Sequence, residues 1–287
     1  MNDDTRRTEN GASVKVRRVV AYAVLILMSF LCLIWFYILF INASRSHSEL
    51  STGFTPIPSS YALKNFMSVI RGSQPFARGM LNSLIISVCC ATLSTYFSAM
   101  TAYAIHVYDF KLKKFMFTFI LMIMMIPTQV TALGFLQLVT KMKLEDNFIP
   151  LIVPTIAAPA VFFYMKQYME SALPLSLVES ARIDGAGEFR TFNQIVLPLM
   201  RPAIAVQAIF SFVQNWNNYF TPALILHKDN MKTLPILIAT LRSADFLKFD
   251  MGSVYMSIAF SIFPVIIVYL ILSKNIVGGV AAGAVKG

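Results

Sequence analysis

Six apolar segments constrain this chain more than any other feature. They cover residues 19–41, 81–105, 115–139, 148–168, 203–226 and 253–272. A helical run of roughly 20 apolar residues crosses a hydrocarbon core of ~30 Å. Inside lipid, each backbone N–H and C=O must find its partner within the segment, which for single runs of this length means a helix. The fold class expected is therefore all-α: a polytopic membrane protein with six transmembrane helices. A mean hydropathy of +0.66 and only 13% charged residues belong to the same class.

Charge and motif content exclude several functions. The net charge is +10, yet the positive residues are scattered between apolar runs and form no continuous basic face. Nucleic acid is therefore not an expected partner. Cys32, Cys89 and Cys90 all lie inside apolar segments and read as small packing residues, not a disulfide framework. The spacing of Cys and His suggests no metal site. No nucleophile–base pair or paired carboxylates occur in or near a span, and no GxxxxGK[ST] loop is present. An enzyme is thus not expected, and the chain does not hydrolyse ATP itself.

The segments between spans carry the polar chemistry. Residues 1–18 are polar and basic and are expected as a disordered tail on the inner side. The run 19–41 is too long for a signal peptide and reads as an uncleaved first span. Residues 42–80 form an outer segment, and 275–287 a second inner tail. Pro127-Thr128-Gln129 interrupts the third span, and Pro150, Pro154 and Pro159 leave the phase of the fourth open. The fifth span holds Gln214, Asn215, Trp216, Asn217 and Asn218. Amides inside a span are costly unless they face a partner or water. With Gln129 they are candidates for a solute path, because amides donate and accept while aromatic faces stack on sugar rings. Helix–helix hydrogen bonding is the other reading of the same residues. Lysine and arginine are in modest excess on the side assigned to the cytoplasm.

One long polar stretch remains, Glu179 to Pro202, overlapping the loop 171–201. Ser176 and Glu179 have capping-box spacing. Leu175, Val178 and Ile183 fall on one helical face. Gly185, beside the turn former Asp184, is placed to end that helix. A second stripe, Phe189, Phe192, Ile195 and Val196, closes at Pro198. Two short helices with a sharp break are expected.

Glu179-Ser180-Ala181, Gly185, Ile195 and Leu197-Pro198 fit EAA-x3-G-x9-I-x-LP at every offset, with Ser180 in place of alanine. The chain thereby resembles the permease subunits of bacterial ABC importers, with their type I permease fold over residues 78–274. Asn82-Ser83, Ala102-Tyr103-Ala104, Trp216-Asn217 with Phe220 and Pro222, Thr233-Leu234-Pro235 and the closing Gly-Ala-Val-Lys-Gly resemble the maltose-type second permease of carbohydrate importers. The resemblance implies a protein of the bacterial cytoplasmic membrane with both termini in the cytoplasm. Its partners would be a second, different permease, an ATP-binding subunit dimer, an extracytoplasmic solute-binding protein and the surrounding membrane lipid. ATP and Mg²⁺ would bind on partner subunits, and no cofactor on this chain. Glu179, Ser180, Ala181, Asp184, Gly185, Ala186, Ile195, Leu197 and Pro198 would form the ATPase-coupling loop. A sugar is the solute implied; a peptide, amino acid or phosphate is the alternative.

Overall fold

The computed structural model describes residues 4–72, 74–243 and 250–284, with side chains described for 14–72, 74–241 and 250–276. Parts of the predicted tails and of the loop 227–252 (residues 1–3, 244–249 and 285–287) lie outside the described residues. All regular structure among the described residues is helical. Contacts divide the chain into two units.

The first unit is built from α1 (Asp4–Ala43), α2 (His47–Ser51), α3 (Ala62–Arg71) and, later in the chain, a helix beginning at Met251. Residues 4–18, expected as a disordered tail, instead continue the helix of the first span. Along α1, large apolar side chains such as Leu25, Ile26, Phe30 and Trp35 are exposed, a surface suited to lipid. Among its described side chains only those at the C-terminal end, Ile41, Asn42 and Ala43, are buried, together with Ser44 and Arg45 of the turn that follows. A capping box opens α2: the Glu49 N–H donates to Ser46 Oγ and the Ser46 N–H to Glu49 Oε2. The buried amide of Asn65 on α3 donates to the carbonyls of Ala43 and Arg45 at 2.9 and 2.8 Å. These are carbonyls that the end of α1 and the turn after it leave without helical partners. Gly252 packs against the same point.

The second unit is organised on α4 (Phe76–Val107), a 32-residue helix whose buried positions are mostly small: Ser83, Ser87, Ala91, Ser94, Ser98 and Ala102. Small residues let other helices approach closely in lipid. Next come α5 (Lys113–Ile123) and α6 (Thr128–Lys141). The predicted third span is thus not one rod, because these helices meet at a bend of 94°. Pro127 caps α6 in an extended conformation, and it has no N–H to continue α5. The fourth span is also broken, into α7 (Ile149–Ile152), a 3-10 turn (Val153–Ile156) and α8 (Pro159–Ala172). Pro150, Pro154 and Pro159 each fall in the first turn of a piece, where a missing N–H goes unnoticed.

The polar stretch holds α9 (Leu175–Ile183), α10 (Glu188–Thr191), a π-helical turn (Phe192–Val196) and α11 (Leu197–Leu199). The predicted fifth span ends early, as α12 (Arg201–Trp216), with α13 (Phe220–Ile225) separate from it. Then follow α14 (Leu234–Ser243) and α15 (Met251–Ala284), which keeps Pro264 inside it and outruns the predicted sixth span. Among the described residues, four helical segments are long and apolar enough to cross a membrane: Val14–Ala43, Phe76–Val107, Ile149–Ala172 and Met251–Ile276. Among the described residues the number rises to six if each of two bent pairs, Lys113–Ile123 with Thr128–Lys141 and Glu188–Leu199 with Arg201–Trp216, is one span. In the second unit, α4 and α12 lie close enough for Ser94 Oγ and Ser211 Oγ to hydrogen-bond at 2.9 Å. One apolar core joins α4, α8, α9 and the π-helical turn through Ala99, Tyr103, Met165, Met169, Val178, Phe192 and Val196.

Candidate functional site

The polar stretch folds as an elbow. At its break, Gly185 has φ +78°, a left-handed conformation glycine reaches without a Cβ penalty. The Ala186 N–H returns to the Ala181 carbonyl at 2.9 Å and the Gly185 N–H to the Arg182 carbonyl at 3.0 Å. That pair of bonds is a Schellman cap, so the alanine and glycine of the motif close one turn together. Asp184 occupies the C-cap and is exposed.

The start of the elbow departs from expectation. Pro174, extended, is the N-cap, and the helix begins at Leu175. Ser176 therefore lies inside the first turn, two residues too late to cap, and the predicted box with Glu179 does not form. Ser176 instead accepts, through its carbonyl, a bond from Ser180 Oγ at 2.9 Å. Glu179 and Ser180 face solvent, while Ala181 is buried and Ala186 half-buried. The apolar face is also narrower than predicted. Val178, Phe192 and Val196 are buried in the core, but Ile183 is 86% exposed and Phe189 73%. Leu175 is exposed as well. Two bare apolar side chains thus flank the Gly185 break. Ile195 and Leu197 are half-buried and Pro198, in the first turn of α11, is exposed.

Glu188 is the residue that sequence reading missed. It opens α10, where a carboxylate favours the helix N-terminus. Its Oε1 accepts from Arg182 Nε at 2.8 Å and its Oε2 from the Tyr103 hydroxyl of α4, also at 2.8 Å. The neighbouring Tyr108 hydroxyl and the Arg182 guanidinium hold the Glu188 carboxyl below its ordinary value, and Arg182 is raised chiefly by Glu188. The Arg182 guanidinium also lies over the Tyr108 ring, 5.5 Å from its centroid. Tyr103 and Glu188 are 85 residues apart, so no local pattern could pair them.

A second clamp holds the other end of α4. Asn82 Nδ2 donates to the carbonyls of Asn230 and Lys232 at 3.0 and 2.9 Å, and Ser83 Oγ accepts the Leu234 N–H at 2.9 Å. Two motifs noted separately in the sequence, Asn82-Ser83 and Thr233-Leu234-Pro235, are thus one contact. Asn82→Ala would strand both carbonyls and is expected to cost about 2 kcal/mol, read as a fall in the melting temperature of the purified protein. Nearby, Asp146 at φ +52° accepts the N–H groups of His227 and Lys228 at 2.6 and 2.8 Å through one oxygen. Its carboxyl is lowered, first by the Lys228 bond.

The predicted path residues divide. Trp216 does not present a stacking face. It is 2% exposed, stacks on Phe212 at 5.7 Å and donates Nε1–H to the Ser261 carbonyl at 3.0 Å. A buried indole needs such a partner, and here that partner is the protein. Asn215 donates to the Ser211 carbonyl and Asn217 to the Val213 carbonyl, and Asn218 accepts from the Thr221 N–H. Gln214 and Asn217 at the end of α12, and Gln129 at the start of α6, are exposed.

A core of long apolar helices, with further pairs bent at short breaks, defines a multi-pass membrane protein. The chain belongs to the family described as "binding-protein-dependent transport system inner membrane component", whose sequence model matches residues 94–281. It is similar to the arabinooligosaccharides transport system permease protein AraQ of Halalkalibacterium halodurans, at 36% identity over 87% of this chain and 89% of that protein. AraQ of Bacillus subtilis is 33% identical over 95% and 97% of the two chains. A probable starch degradation products permease, AmyC of Thermoanaerobacterium thermosulfurigenes, is 30% identical over 89% and 93%. The fold matches a chain of a bacterial ABC transporter involved in alginate import, with TM-score 0.77, 21% identity, and 91% and 97% of the two chains covered. The protein is thus a multi-pass ABC importer permease of the type I fold.

Proposed function

We propose that this chain is one of two different permease subunits of a bacterial importer that carries an oligosaccharide inward across the cytoplasmic membrane. ATP is hydrolysed on separate subunits, which also hold its Mg²⁺, and an extracytoplasmic binding protein delivers the solute. The observation that carries the reading is the elbow. Its tip exposes Ile183 and Phe189 on either side of a Schellman-capped break, with Glu179 and Ser180 exposed one turn earlier. Exposed apolar side chains in a polar rim suit a protein interface, and an ATPase seated there requires the elbow to face the cytoplasm. With six spans, both termini then lie on the same side, and residues 42–80 lie outside.

The solute class rests on the likeness to arabinooligosaccharide and starch-product permeases along nearly the whole chain. Within this reading Gln129, Gln214, Asn215, Asn217 and Asn218 offer amides toward the path, and Trp216 stiffens the helix behind them. The core of α9 and the π-helical turn, with Ile195 and Leu197, holds the elbow to the spans. Uptake by proteoliposomes containing the whole complex tests the proposal. ATP-dependent accumulation of arabinan- or starch-derived oligosaccharides is expected. Accumulation of sn-glycerol 3-phosphate, peptides or amino acids in their place would overturn the sugar assignment.

A further inference from the structure

The strongest unassigned arrangement is the pair of clamps on α4. At its C-terminal end, Glu188 bonds Tyr103 of α4 and Arg182 of α9 with its two oxygens, both at 2.8 Å. One carboxylate therefore ties both arms of the elbow to one helix. At the N-terminal end, Asn82 and Ser83 hold the segment Asn230–Leu234 by three backbone bonds. Gly79, one turn earlier, permits that approach: a Cβ there would lie 2.4 Å from Leu237 Cδ1. Between the clamps α4 contains neither glycine nor proline. At ~1.5 Å per residue, they are about 30 Å apart, close to the thickness of a hydrocarbon core. By contrast, α5 with α6 and the α10–α12 run are bent by 94° and 81°.

We propose that α4 is the strut through which the elbow and the Asn230–Leu234 segment move together, and that Glu188 is the positioning residue fixing the elbow to it. The inference rests on the reading of the elbow as the ATPase-facing lever. Apolar packing of Val178, Phe192 and Val196 leaves an elbow free to slide by small steps, because such contacts are not directional. The Glu188 bonds add direction. They also hold a Tyr103 hydroxyl that is buried to within 4% and has no reason to release its acceptor. A displacement of the elbow then draws the C-terminal end of α4 with it. An unbroken helix passes that displacement to Asn82 and Ser83, and their bonds hand it to the loop leading into α14. By linkage, whatever docks on that loop acts back on the elbow with the same coupling.

The test is hydrogen exchange of the assembled complex in lipid nanodiscs, before and after trapping with Mg²⁺, ATP and orthovanadate. In the wild type, trapping is expected to change exchange both at the elbow, residues 176–190, and about tenfold at residues 230–237. Tyr103→Phe and Glu188→Ala each leave the elbow response in place and abolish the response at 230–237. The double variant loses no more of that response than either single one, since both remove the Tyr103–Glu188 bond. Asn82→Ala combined with Ser83→Ala cuts the same relay from the other end. The melting temperature of each complex is recorded beside it, so that loss of fold is seen as such. Persistence of the 230–237 response in Tyr103→Phe and Glu188→Ala overturns the strut. So does a wild type whose elbow responds while residues 230–237 do not. A wild-type elbow that ignores trapping removes the lever reading itself, and the strut with it.

Discussion

Gly185→Val is expected to reduce ATP-driven uptake at least tenfold while the complex still assembles. Gly185 stands at φ +78°, and nothing lies within 4 Å of where a Cβ would be. Its replacement therefore meets no neighbour within this chain, and the effect inside the chain is one of backbone conformation alone. A left-handed residue costs roughly 1–2 kcal/mol for an ordinary side chain, and a β-branched one is a genuine outlier there. The cheapest relief is to continue or fray α9. Either one breaks the bonds from Ala186 to Ala181 and from Gly185 to Arg182, and Ile183 and Phe189 then no longer flank one tip. Gly185→Asn is the control, because asparagine tolerates the left-handed region. Uptake near wild type in Asn and near background in Val would tie function to the turn. Equal, unimpaired uptake in both would show that the angle of the elbow is irrelevant to transport.

Gly252→Val is expected to have the largest effect on stability. A Cβ at this position would lie 2.5 Å from the Arg45 carbonyl oxygen and 2.6 Å from Asn65 Nδ2. Neither atom has an easy escape. One is backbone, and the other is an amide nitrogen fixed between the carbonyls of Ala43 and Arg45. Overpacking alone costs about 1–3 kcal/mol, and displacing Asn65 adds the cost of buried carbonyls left without donors. A fall of several kcal/mol is a large share of a domain's stability. The measurement is the yield and melting temperature of the purified complex. Gly252→Ala should show a smaller loss in the same direction, and no loss in either variant would mean that α15 is free to move away from the end of α1.

How much of this was legible beforehand differs from residue to residue. Gly185 was readable because a C-terminal cap is a local device, confined to a few neighbouring backbone groups. The long runs of α1, α4 and α15 were readable because apolar length is a property of the segment itself. Ser176 misled because the capping-box spacing is right but the helix starts at Leu175, directly after an extended Pro174. Trp216 misled because sequence gives the chemistry of an indole and not what lies beside it; Phe212 and Ser261 already occupy its face and its N–H. The 94° turn between α5 and α6 was visible as a proline but not as an angle, since proline fixes one torsion and the remainder is set by packing. Glu188 was hidden for the reason that hides most tertiary contacts: its partner Tyr103 lies far off in the chain.

The exposed flank of α1 has its own consequence. Its apolar run, residues 19–41, makes about 35 Å of helix, against an oil layer of ~30 Å. A rod longer than the layer it crosses must lean or emerge. With few neighbours of its own to satisfy, α1 is free to exchange one aliphatic residue for another and intolerant of a mid-layer charge, which costs about 3 kcal/mol. It is a depth gauge, its composition set by the thickness of the host's bilayer.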